Sequence, residues 1–165
     1  LHVLRDKATG KLALYIFDGG VENPYPTPPD HPKPLGLVDL SAAPGIDQAT
    51  HFVLLDDQRV MYYATPTKIY AVLYGSSTPV FEERYTVPGG ETITTLQVYQ
   101  QSGYPRKDPP DYIATHNKQL ILSTYGTEGK VYLLPMKDPG FGNIDAANIK
   151  KFEGFGRILA ITPQQ

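Results

Sequence analysis

The sequence predicts an all-β fold built as a β-propeller-like repeat, with about three four-stranded antiparallel blades, one of them split between the termini. Three observations carry this. A β-rich run, a polar turn and a second run entered through lysine recur at Lys11-Leu12-Ala13-Leu14-Tyr15, Lys68-Ile69-Tyr70-Ala71 and Lys130-Val131-Tyr132-Leu133. The 16 prolines and 15 glycines fall so densely that few stretches exceed about ten residues without one, which leaves little room for long helices. The repeat unit of about 40 to 65 residues, with several strands each, marks units that cannot bury their faces alone.

The first unit opens at His2 to Arg5, turns through Asp6 to Gly10, continues over Leu12 to Phe17, and ends after an insertion with Leu35 to Leu40. The middle unit is complete. Thr50 to Leu55 alternates loosely, Asp56-Asp57-Gln58 turns, and Arg59 to Thr65 is rich in β-formers. Pro66-Thr67 leads into Lys68 to Tyr74, Gly75-Ser76-Ser77 turns again, and Pro79 to Val87 supplies the fourth strand before Pro88-Gly89-Gly90. The third unit repeats this with Ile93 to Val98, a long insertion, Gln119 to Tyr125, the turn Gly126-Thr127-Glu128-Gly129, Lys130 to Met136, a loop, and Ile149 to Phe155.

The first unit lacks an opening strand, and Arg157 to Ile161 resembles one. Ile158-Leu159-Ala160-Ile161 matches Ile93-Thr94-Thr95-Leu96 and Ala49-Thr50-His51-Phe52. The expected blades are therefore residues 1–48 plus 157–163, 49–91 and 92–156. Pairing a terminal strand with the other end removes a free sheet edge. Three blades fall short of the usual four to eight. Two completions fit: a longer parent chain, or two copies in which the last strand of each completes the first blade of the other. The opening on Leu1, with no signal-like segment, reads as a processed or excised piece of something longer.

Charge and composition exclude several classes. A net charge of −2 with interspersed signs leaves no basic stripe to track phosphates, so nucleic acid is not expected as a partner. No run approaches the roughly 20 apolar residues that span a bilayer, so the chain is expected to be soluble as given. The absence of cysteine excludes disulfides and thiolate metal sites.

A family resemblance enters at Ala49-Thr50-His51-Phe52, at Val60-Met61-Tyr62-Tyr63-Ala64-Thr65 with Lys68-Ile69-Tyr70-Ala71, and at Thr124-Tyr125-Gly126-Thr127-Glu128-Gly129-Lys130-Val131-Tyr132. With the closing Phe155-Gly156-Arg157-Ile158, these resemble the C-terminal region of PKD-like family lipoproteins of Bacteroidetes, over roughly residues 49 to 161. The resemblance implies a lipid-anchored, exported parent with immunoglobulin-like domains upstream and a propeller-like C-terminal region acting in adhesion or glycan handling. It transfers no catalytic residue.

Two insertions break the repeat. Gly19 to Pro34 holds six prolines in 16 residues, cannot join a sheet ladder, and favours a stiff extended arm presenting Tyr25 and His31. The second insertion, Tyr99 to Tyr112, offers Gln100, Gln101, Tyr104, Arg106 and Tyr112. Aromatic rings beside amides and a charge suit sugar rings, whose C–H faces stack while their hydroxyls need donors and acceptors.

On the inner strands Thr50, His51, Thr94 and Thr95 offer polar groups to a central channel, and strand alternation lets only one of each adjacent pair face it. His51 is the ligand candidate there. The four histidines show no metal-ligand spacing, so neither a metal nor another cofactor is expected. Glu82-Glu83 point to opposite faces and suit local pairing rather than a glycosidase pair.

The leading functional reading is a non-catalytic surface binding or adhesion module whose insertions contact a glycan or surface protein. The alternatives are a propeller-type lyase or glycosidase, and an assembly platform without a ligand.

Overall fold

The computed structural model describes residues 2–5, 10–16, 36–55, 59–75, 78–100, 118–138 and 142–162, in two compact units, Leu1–Ile46 and Asp47–Gln165. The first unit holds one antiparallel sheet in the order β1 (His2–Arg5), β2 (Leu12–Ile16), β3 (Gly36–Asp39). Leu14 and Leu40 are fully buried and Val38 nearly so. Asp39 ends the third strand by accepting a 2.8 Å hydrogen bond from the Ser41 N–H, a side-chain turn that competes with further pairing.

The second unit holds two sheets. One is the meander β4 (His51–Leu55), β5 (Val60–Ala64), β6 (Lys68–Leu73), β7 (Val80–Thr86). The other runs β8 (Thr92–Gln100), β9 (Lys118–Tyr125), β10 (Gly129–Asp138), and then places both β11 (Asn143–Ile144) and β12 (Lys150–Phe155) along the far edge of β10. All pairs are antiparallel, as short meander connections require.

The two sheets share one core. Val60, Tyr62, Ala64, Ile69 and Ala71 of the second sheet meet Leu96, Leu120, Leu122, Tyr132 and Leu134 of the third. Each fully buried leucine here contributes on the order of 2 kcal/mol of transfer free energy. The one polar atom of Tyr62 is accommodated by donating to Met136 Sδ at 3.7 Å, and burial pushes this phenol's pKa up. The central strand β5 is buried on both faces, because Met61 and Tyr63 on its other side are also fully buried.

The two ends of this unit differ. At one end the second-to-third connections are tight, at residues 65–67 and 126–128, and they are stitched to the segments entering the first strands. Ile93 N–H donates to the Pro66 carbonyl at 2.8 Å, Val87 N–H to Thr67 at 2.9 Å, and Thr50 N–H to Ala64 at 2.9 Å. The opposite end holds the strand ends Leu55 and Val60, Leu73 and Val80, and Gln100 and Lys118, each paired across its ladder.

Several expectations need correcting. Among the described residues the first sheet has three strands, and Arg157 to Ile161 forms none: residues 156–162 enter no sheet and Leu159 is 81% exposed. Its apolar residues suit a strand locally, but strand preference is a fit to a neighbouring edge, and none is paired with it here. The third sheet has five strands, because Asn143–Ile144 fills the length of β10 that β12 leaves open. Tyr99 and Gln100 close β8 instead of opening an insertion, since they pair with Gln119 and Lys118. What is shown is an all-β chain of three open antiparallel sheets.

Gly129 begins β10 beneath a register shift against β12, and a Cβ there would collide with the Gly156 carbonyl oxygen. Gly129→Ala is expected to cost about 3 kcal/mol through this overpacking. Gly89→Ala, with nothing within 4 Å of the added carbon, should stay within about 0.5 kcal/mol. Urea unfolding of the two variants checks this, and equal midpoints would refute the close seating of β12.

Candidate functional site

Residues two apart on a strand share a face, so each Lys-x-Tyr pair presents a cation and a phenol side by side. In the third sheet that pair, Lys130 and Tyr132, meets Glu91. The turn Pro88-Gly89-Gly90, with Gly90 at φ 84° and the Glu91 N–H bonded to the Pro88 carbonyl, lifts Glu91 over the hairpin at Gly126. One carboxylate oxygen accepts from Lys130 Nζ at 2.8 Å. The other accepts from Thr124 Oγ1 at 2.7 Å and from Tyr132 OH at 2.9 Å. Glu153 lies 3.8 Å from Lys130 and is held in turn by Lys151. The Tyr132 ring tilts against Tyr85 of β7 at 6.1 Å, which puts this carboxylate on the seam between the two sheets.

Glu91 is 8% exposed. Burial pushes its carboxyl up, but the hydrogen bonds from Lys130, Thr124 and Tyr132 together outweigh that and hold its pKa below the ordinary value. The same bond raises the Lys130 ammonium, burial followed by the hydrogen bond to Glu91 raises the Tyr132 phenol, and burial followed by the Glu91 charge raises that of Tyr85. A carboxylate with three donors is not poised to take a proton from a substrate. It serves as a clamp that fastens the turn before β8 onto β9 and β10 of the third sheet.

The second sheet uses the same pair differently. Lys68 Nζ bonds Glu83 Oε2 at 2.7 Å, Thr86 Oγ1 donates to Glu83 Oε1 at 2.6 Å, and both charged side chains are near half exposed. Tyr70 stacks on Tyr63 at 5.1 Å and 15°, with Phe52 6.4 Å beyond Tyr63. Glu82 turns the other way and pairs with Arg84. The adjacent glutamates thus pair locally on opposite faces, as alternation requires.

Alternation fails at Thr94 and Thr95. A register shift between Ile93 and Thr95 inserts Thr94 as an extra residue, and both hydroxyls reach Ser123 Oγ, at 2.8 and 2.7 Å. The expectation that only one of the pair can face a given side is overturned by this bulge.

Of the predicted ligand residues, His51 and Gln100 fall within the described residues, at opposite ends of their sheets. His51 is half-buried opposite Ala64, with Nδ1 2.8 Å from Thr50 Oγ1. Gln100 closes β8 at the root of the second insertion. Tyr25, His31, Gln101, Tyr104, Arg106 and Tyr112 lie outside the described residues. Among the described residues no group of three His, Asp, Glu or Cys could hold a metal ion.

Sequence reasoning passed over Glu91 and Lys118. The signal for Glu91 was the repeated Lys-x-Tyr pair, which asks for an anion, together with a Pro-Gly-Gly turn immediately before an acidic residue. Lys118 is 1% exposed where the second insertion rejoins the sheet, so that root is set in the sheet.

Removing the clamp leaves a partly buried ammonium and two hydroxyls without their acceptor, and Glu91→Ala is expected to cost roughly 3 kcal/mol. Glu83→Ala breaks an exposed pair and should cost less than about 1 kcal/mol. A depressed carboxyl contributes stability that is complete above its unfolded value, near 4.5, and lost as pH falls through the lower folded one. The raised lysine contributes fully below 10.5 and loses its share as pH rises through its higher folded value. Denaturation between pH 3 and 7 should therefore show a Glu91-dependent acid limb that Glu91→Ala abolishes.

No protein-family model matches the chain, and neither a curated protein nor a solved structure does, so the reading of this site rests on its own residues.

Proposed function

We propose that the chain is a non-catalytic surface binding or adhesion module built on a propeller-like repeat, with its two insertions as the partner contacts. The observation that carries this is where the insertions leave the sheets. In a four-stranded meander the first-to-second and third-to-fourth connections emerge at one end, and the second-to-third connection at the other. Matching Lys11 to Lys68 and Lys130 makes β2 to β3 a third-to-fourth connection, and β8 to β9 is a first-to-second one. Each insertion therefore leaves its own sheet at the end away from that sheet's second-to-third turn.

In the second unit the opposite end consists of tight turns and the Glu91 clamp. A rigid, heavily bonded end and a decorated end are the division expected of a scaffold that carries recognition on loops. Gln100 at the root of the second insertion, with Gln101, Tyr104, Arg106 and Tyr112 within it, offers ring stacking and paired donors to a glycan; Tyr25 and His31 on the proline-rich arm add a second contact. On this reading the parent protein is exported and surface-anchored, as the resemblance to PKD-like lipoproteins implies, and its partner is a surface glycan or glycoprotein.

A glycan array probed with the protein tests this. Binding to a defined class of sugars is expected, and Tyr104→Ala or Tyr112→Ala should weaken it about tenfold by removing a stacked ring. Binding unchanged in both variants, or no glycan bound at high concentration, refutes the glycan reading.

A further inference from the structure

Two features of the framework have no counterpart within the sheets that carry them. One is a face. The second sheet packs on the third through Tyr62, Ala64, Ile69 and Ala71, all fully buried. Registered through Lys68 and Lys130, these correspond to Ile121, Ser123, Val131 and Leu133 on the side of the third sheet turned away from that core. Ile121, Val131 and Leu133 are only half-buried, and Phe152, opposite Val131 on β12, is 48% exposed. The surface that is covered in one sheet is therefore partly open in the next.

The other feature is a strand. Each sheet of the second unit begins with the strand next in sequence after the last strand of the preceding sheet: β4 after β3, across residues 40–50 with a short 3-10 helix, and β8 after β7. Ile158-Leu159-Ala160-Ile161 follows β12 in the same way, with the pattern of an opening strand, and enters no sheet. By the repeat, it belongs in the sheet that covers the open face of the third. That sheet must lack an opening strand of its own. The sheet of this chain that lacks one is β1-β2-β3, in which β1 pairs only with β2 among the described residues.

We propose that a second copy of the chain fills both places. Its first sheet covers the Ile121, Val131, Leu133 and Phe152 face, and its β1 takes Arg157 to Ile161 as an antiparallel neighbour. The register follows from the equivalences. His51 lies opposite Ala64 and Thr95 opposite Ser123, so Ala160 lies opposite Arg5 and Ile161 opposite Leu4. Exchange in both directions about a two-fold axis leaves no free opening edge and closes the repeat. This inference rests on the strand repeat and not on the insertions, so it stands or falls independently of glycan binding.

The chain contains no cysteine, so introduced ones report cleanly. Residues opposite one another on antiparallel strands lie about 4.5 to 5.5 Å apart at Cα, within disulfide reach. Arg5 and Ala160 are both exposed, so neither substitution disturbs a core. Light scattering of the unmodified chain is expected to give twice 18.2 kDa. An equimolar mixture of Arg5→Cys and Ala160→Cys chains should form a mixed disulfide dimer under mild oxidation. Replacing Ala160→Cys with Ile161→Cys, which lies opposite Leu4 and on the other face, should reduce that yield severalfold. A monomer by light scattering overturns the proposal. So does a dimer without the mixed disulfide, equal yields in the two registers, or an internally closed monomer as the product of the double variant Arg5→Cys/Ala160→Cys.

Discussion

A β-sheet whose strands are apolar on both sides must be covered on both sides, and that constraint organises this protein. Strand β5 shows it most plainly: Val60, Tyr62 and Ala64 face one way, Met61 and Tyr63 the other, and all five are fully buried. Alternation of polar and apolar residues, the usual mark of a half-solvated antiparallel sheet, is therefore weak in the central strands. Sheets of this kind are stable when stacked, as the second and third are through their shared core.

Within that stack the Glu91 clamp does what apolar packing cannot. Hydrophobic contact is non-directional and leaves two sheets free to slide. A carboxylate that accepts from Thr124, Lys130 and Tyr132, from the turn that enters β8, sets the register of turn, hairpin and seam together. The corresponding pair Lys68 and Tyr70 finds its anion in Glu83 on an exposed strand, so one sequence motif supports two environments. The difference lies in what covers each face, which is a property of the stack and not of the motif.

Much of the framework was legible before any coordinates. The turns at residues 65–67, 88–90 and 126–128 were marked by Pro and Gly, and Lys68 to Leu73 and Lys130 to Met136 by their β-formers, because these are local preferences. The strand-like pattern of Arg157 to Ile161 was readable, but that it enters no sheet within the single chain was not, because pairing needs an edge and no local pattern supplies one. The bulge at Thr94 was equally hidden, since an extra residue in a ladder is decided by the partner strand. Of the candidate ligand residues, the strand position of His51 was readable, whereas its engagement with Thr50 was not.

The sequence by itself determined the strand content, the lysine-led repeat, the places where insertions interrupt it, and the absence of any disulfide, all consequences of short-range backbone preference and composition. Only the tertiary structure decided which faces are covered, that Glu91 is buried and clamped while Glu83 stays at the surface, and that Thr94 and Thr95 converge on Ser123. Those outcomes depend on distances between residues tens of positions apart, and burial and hydrogen-bond geometry, unlike strand preference, exist only once such residues have been brought together.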